Sequence, residues 1–211
     1  MKIERIIRKN DRNVIVHLEN GEKLFLAKEV VLKNGLRKGD QISDDLSSFL
    51  INENQLFFIK QRAFSYLGRR FHSRYELTTK LKSKGYASEL INTVLNELED
   101  KNYLNDYEFA VAFAKDKLSF KHFGSYRIRN ELIKRRVNKE IIEQVISEIF
   151  PEGNDLQEAV YHINKKLRNK TIDELDDKNV NNKLITFLIR KGFDFETAKT
   201  AIEEVKKGSS H

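Results

Sequence analysis

Residues 76–98 read ELTTKLKSKGYASELINTVLNEL, and two apolar ladders run through them. Leu77, Leu81 and Tyr86 are spaced by four and five; Ile91, Val94, Leu95 and Leu98 stand at i, i+3, i+4 and i+7. Spacing of that kind puts each set on one buried face of a helix. Between the ladders, Lys84-Gly85-Tyr86 reads as a tight turn in which glycine takes a positive φ and the next residue packs. The stretch therefore predicts a helix–turn–helix, too small to bury its own faces.

The template recurs. Ile128, Leu132 and Val137 repeat the first ladder 51 residues later, and Leu184, Leu188 and Phe193 repeat it 56 residues after that. The second ladder returns as Ile142, Val145, Ile146 and Ile149, then as Ala198, Ala201, Ile202 and Val205, with Arg135-Arg136-Val137 and Lys191-Gly192-Phe193 at the turns. A further helix precedes each copy, over 56–67, 106–118 and 155–167; Asp106 and Asp155 open the last two as candidate N-caps, and Ser73-x-x-Glu76 is a capping box for the first middle helix. Self-similarity at this period predicts three tandem three-helix repeats in an elongated, curved array, over 46–104, 105–153 and 154–207.

Upstream the pattern changes to β-branched runs at 3–6 and 14–18, with Asn20-Gly21 before 23–26 as a strong hairpin signal. Residues 1–45 are thus a small β-rich cap that ends with a short helix over 27–33, and 208–211 read as a tag remnant. One proline and nine glycines in 211 residues argue against an all-β fold.

The absence of cysteine excludes disulfides, a thiol nucleophile and thiolate-ligated metals, and suits a reducing, cytoplasmic setting. No run is long and apolar enough for a membrane span. No phosphate-binding glycine loop, His-Glu-x-x-His or Gly-x-Ser-x-Gly occurs, and His17, His72, His122 and His162 share no ligand spacing. The expectation is a non-enzyme without cofactor, monomeric and basic, with a formal charge of +7.

Charge alternates with the helices. Residues 61–84 hold seven bases against Glu76, whereas 86–108 hold six acids against Lys101; 117–136 hold seven bases against Glu131, and 137–158 hold six acids against Lys139. In the third repeat Lys178, Lys183, Arg190 and Lys191 continue the pattern more weakly. Stacked repeats would align such helices into a basic stripe that suits a polyanion or a filament. The alternative is pairing of bases with acids on neighbouring helices, which stabilises by only about 0 to 1 kcal/mol per pair. The candidate contact residues are Arg69, Arg70, Arg74, Lys80, Lys84, Lys121, Arg127, Arg129, Lys134, Arg135 and Arg136. Phe71, Phe120 and Phe123 interleave with bases at equivalent hinges, where they either stack on a single strand or plug the space between repeats.

Glu76-Leu77-x-x-Lys80-Leu81-x-x-Lys84-Gly85-Tyr86, then Val94-Leu95-x-x-Leu98, Tyr103-Leu104-Asn105-Asp106-x-x-Phe109-Ala110 and Gly124-x-x-Arg127-Ile128-x-x-Glu131-Leu132 resemble the RecX family of bacterial recombination regulators. The likeness is strong over about residues 61–150 and weaker in the last repeat; where many relatives have Lys-Gly-Val in the second repeat, this chain has Arg135-Arg136-Val137. The resemblance implies three-helix repeats, no catalytic activity, and binding to the RecA recombinase filament, with inhibition of strand exchange, ATP hydrolysis and coprotease activity; a curved, charge-striped body can lie in the filament groove and contact neighbouring protomers together with the enclosed single-stranded DNA. Two alternatives remain: a direct DNA-binding protein without a recombinase partner, and a helical scaffold for another protein.

Overall fold

The computed structural model describes residues 1–151, 154–167 and 177–208. The chain divides into two compact units: Met1–Arg70 with Glu76–Leu104, and Phe71–Tyr75 with the described residues from Asn105 onward.

The first unit begins with an antiparallel sheet of β1 (Ile3–Arg8), β2 (Asn13–Leu18) and β3 (Lys23–Ala27), in that order. Strand alternation sets its inner face: Val14, Val16 and Leu18 on β2 meet Leu26, Leu24 and Ile3 across the ladder, and all are buried. Asn20-Gly21 makes the β2–β3 turn with Gly21 at φ +87°. The short helix α1 (Lys28–Lys33) adds Val30 and Val31 to the core.

A difference from the sequence reading follows. The helix expected over 56–67 is the second half of α2 (Asp44–Leu67), a 24-residue helix capped by Ser43, whose hydroxyl accepts from the Leu46 amide. Its first half belongs to the sheet: Leu50 is fully buried there, and Asn54 accepts from the Ala27 amide (2.7 Å) and donates to the Phe25 carbonyl (3.0 Å). Two backbone polar groups of the edge strand β3 are thereby satisfied. The second half contributes Ile59 and Ala63 to a separate core with Leu77 and Leu81 of α3 (Arg74–Lys82) and Ile91, Val94, Leu95 and Leu98 of α4 (Ser88–Asp100). These are the expected ladder residues, and Gly85 takes φ +85° at the turn.

The second unit holds two further trios. The first, α5 (Asp106–Lys121), α6 (Ser125–Lys134) and α7 (Lys139–Ile149), buries Phe109, Ala110 and Ala114 against Ile128, Leu132, Val137, Ile142, Val145 and Ile146; Ile149 is only partly covered. The second trio is α8 (Asn154–Leu167), α9 (Lys178–Lys191) and α10 (Phe195–Gly208) around Ala159, Ile163, Leu184, Leu188, Phe193, Ala198 and Ala201. Asp177 caps α9; residues 209–211 of the expected tag remnant lie outside the described residues. The turn between α6 and α7 keeps its left-handed residue without glycine, since Arg136 takes φ +53°.

Candidate interaction surface

Within the second unit, backbone and hydroxyl groups of residues 73–74 and 124–126 are held by side chains and carbonyls further along the chain. Asp106, in the first turn of α5, accepts the Arg74 amide at 2.7 Å, and the Ser73 hydroxyl donates to the Arg135 carbonyl at 3.2 Å. One repeat on, Asp155 accepts from both the amide (2.9 Å) and the hydroxyl of Ser125, while the Gly124 and Tyr126 amides donate to the carbonyls of Lys191 and Gly192, each at 3.1 Å. This corrects the reading of Asp106 and Asp155 as caps of their own helices. Asn105 caps α5, accepting from Tyr107 and Glu108, and both aspartates reach across to the preceding repeat, where an orphan amide group awaits an acceptor. Burial pushes the Asp155 carboxyl above its ordinary value, although the two Ser125 hydrogen bonds act against the shift.

The contact is close enough to dictate glycine. A Cβ on Gly124 would lie 2.4 Å from the Gly192 oxygen, and one on Gly192, which also has φ +104°, would lie 2.3 Å from the Arg127 Cβ.

The candidate bases divide by unit. In the first, Arg70 pairs with Glu76 at 2.8 Å, Lys80 lies over the Tyr66 ring at 4.9 Å, and Arg69 and Lys84 are exposed. In the second, Arg129 holds Glu143 with two hydrogen bonds of 3.0 Å. Lys134 and Arg135 share Glu131, and Arg135 also covers the Phe113 ring. Arg136 lies over Tyr75, Lys121 is exposed, and Arg127 sits 3.9 Å from the Phe123 ring centre while donating to the Arg190 carbonyl. Arg74 contributes its amide to the Asp106 cap. Several of these bases therefore already have acidic or aromatic partners, and the Arg129–Glu143 pair joins neighbouring helices as the pairing alternative anticipated. Exposed pairs are worth only about 0 to 1 kcal/mol and yield readily to a polyanion.

The hinge aromatics separate in the same way. Phe123 is half-buried beneath Arg127, whereas Phe71 and Phe120 are 52% and 76% exposed. Phe109 is buried as core spacing required, and Phe187 packs only partly.

Sequence reasoning missed a group on the third repeat. Lys165 and Lys166 on α8 and Lys191 on α9 line a cavity of about 500 Å³ with Lys121, Phe120 and Phe187. Its floor includes His162, whose Nε2–H donates to the His122 carbonyl at 2.7 Å, while the His122 Nδ1–H donates to Glu158 at 2.7 Å and its ring stacks 3.9 Å from that of Tyr161. Burial pushes His162 below the ordinary histidine value. Burial, with Arg127, Lys165 and Lys121 nearby, pushes Lys191 down as well. The available signal was Lys165-Lys166 at the end of α8, but its convergence with Lys191 depends on how α8 and α9 pack.

Among the described residues, no group of three or more histidine, aspartate or glutamate side chains is placed to hold a metal ion, and no helix is long and apolar enough to cross a membrane. The described architecture is that of a tandem three-helix-domain protein with a small N-terminal sheet. Family models for the first, second and third three-helix domains of RecX match residues 60–98, 105–146 and 154–202, and the chain belongs to the RecX family. It is 29% identical over 197 residues to the Regulatory protein RecX of Clostridium botulinum strain Alaska E43, covering 93% of this chain and 92% of that one. It is 30% identical over 158 residues to that of Finegoldia magna, covering 75% and 77%. A crystal structure of regulatory protein RecX superposes with a TM-score of 0.74 at 19% identity over 96% of this chain and 98% of the other. That of RecX from Lactobacillus salivarius gives 0.63 at 24% over 72% and 97%. These likenesses to solved structures concern the fold.

Proposed function

We propose that the protein binds the RecA recombinase filament, together with the single strand inside it, and inhibits strand exchange, ATP hydrolysis and coprotease activity, thereby moderating DNA repair and the SOS response. The observation that carries this reading is the match of all three RecX domain models along one chain. In this reading the chain acts by contact rather than catalysis, as a cytoplasmic monomer. The contact surface is the set Arg69, Arg70, Arg74, Lys80, Lys84, Lys121, Arg127, Arg129, Lys134, Arg135 and Arg136. Repeated charged modules engaging successive protomers would gain affinity through effective concentration.

The test is charge reversal at Arg135 and Arg136, with folding checked by circular dichroism, assayed separately on recombinase ATP hydrolysis and on naked single-stranded DNA. Loss of inhibition supports the reading. Loss of DNA binding alone points to a direct DNA-binding protein, and no effect in either assay points to a scaffold. Full inhibition after reversal of all eleven bases removes the proposed surface.

A further inference from the structure

The cavity on the third repeat continues into a second one. The first, of about 500 Å³, and its neighbour, of about 360 Å³, share Lys166 and Phe187 in their walls, so they form one groove along α8 and α9. Lys121, Lys165 and Lys191 line the first part; Lys183 and Arg190 line the second. Among the described residues no acid lines either part, and none of these cations has an ion pair. Glu158 is engaged by His122. The contrast within the molecule is informative: a cavity of the first unit has lysines too, but Lys33 is paired with Glu53 and Lys60 with Glu97. Cations confined together without counter-charge repel one another; burial is the main cause of the downward shift of Lys191, and the neighbouring Arg127, Lys165 and Lys121 add to it. A bound anion removes that repulsion.

The aromatic content narrows the anion. Phe120 stands 76% exposed at the mouth, with Phe187 in the shared wall. A duplex hides its base faces, whereas a single strand offers both phosphates and unstacked bases. The spread of the cations over α8 and α9, from Lys165 and Lys166 to Lys183 and Lys191, favours a chain of phosphates over one phosphate.

We infer that the α8–α9 face of the third repeat is a groove for single-stranded nucleic acid, seating consecutive phosphates on Lys191, Lys165, Lys166 and Lys183 and stacking a base on Phe120. The inference deepens the proposed contact with the strand inside the filament. Its test requires no recombinase, so its failure leaves the recombinase reading standing, and inhibition of recombinase ATP hydrolysis is measured separately.

The experiment is fluorescence anisotropy of a labelled 12-nucleotide oligothymidylate titrated with the full chain at several salt concentrations. Lys165→Gln with Lys166→Gln should weaken binding at least about tenfold and flatten the salt dependence by about 1.4 units of log–log slope, since each single-strand phosphate contact contributes about 0.7. Phe120→Ala should weaken it about tenfold through lost stacking. The three positions are exposed, and an unchanged melting curve certifies the fold. Wild-type affinity in both variants overturns the inference, as does equal affinity for a duplex of the same length, or full competition by thymidine monophosphate at the same concentration as the oligomer.

Discussion

Asp155 caps a helix that is not its own: its carboxylate accepts from the amide and the hydroxyl of Ser125, at the start of the middle helix of the preceding repeat. Asp106 does the same for the Arg74 amide one repeat earlier. Within the second unit the third repeat thus satisfies an orphan donor of the second, which couples the folding of these two neighbours as expected for nearest-neighbour interfaces in a repeat array. Asp155→Ala should lower stability by about 1 to 2 kcal/mol, the usual range for a lost cap. Denaturant unfolding of the single variants and of Asp155→Ala with Ser125→Ala should show strong coupling; additive losses would mean that the two residues act independently.

Gly85, Arg136 and Gly192 occupy the same turn position, and the surroundings of the two glycines predict different sensitivities. Gly85 has φ +85° with open space around it, so Gly85→Ala meets only left-handed strain, about 1 to 2 kcal/mol. Gly192→Ala meets that strain and a Cβ collision with Arg127. It should cost more than about 3 kcal/mol once packing is disturbed. Thermal melts of the two variants compare them directly, and equal losses would contradict the close approach.

The ladders were legible in the sequence because a helix writes its buried face every three or four residues; Leu77, Leu132 and Leu188 are all buried where spacing placed them. The left-handed turn at Arg136 was harder to read, since glycine normally announces it. What could not be read depends on chain segments far apart. Leu50 and Asn54 turn half of α2 toward the sheet through partners more than twenty residues away, and Asp155 finds its donor 30 residues back. The candidate bases were identifiable as cations, but Arg129 and Glu143 meet only through the packing of α6 on α7. The groove of Lys165, Lys166 and Lys191 is invisible until α8 and α9 are placed together.

His162 predicts a dependence on pH. Its folded-state pKa is lowered by burial, with Lys191 and His122 contributing and the His122 carbonyl opposing. The unfolded chain therefore binds a proton more readily than the native one as pH falls through about 6.5, the ordinary histidine value. The stability associated with neutral His162 is complete above that value and is lost progressively below it, until the native side chain itself titrates. Melting temperature should fall between pH 7.5 and 5 more steeply for the wild type than for His162→Gln. Parallel curves would show that His162 is not the group responsible.

Arg136 offers a way to separate contact from stability. Its backbone is left-handed at φ +53°, where glycine is at ease, and its guanidinium lies 4.9 Å from the Tyr75 ring centre. Replacing it by glycine relieves about 1 to 2 kcal/mol of backbone strain. The same change forfeits about 0.5 to 1 kcal/mol of cation–π attraction at an exposed site, and the more flexible unfolded chain takes back a similar amount. The terms nearly cancel, so Arg136→Gly should melt within a few degrees of the wild type while lacking the charge. If Arg136 contacts the recombinase filament, this variant inhibits ATP hydrolysis more weakly despite its intact fold; unchanged inhibition would take Arg136 off the contact surface without the ambiguity that a misfolded charge-reversal variant carries.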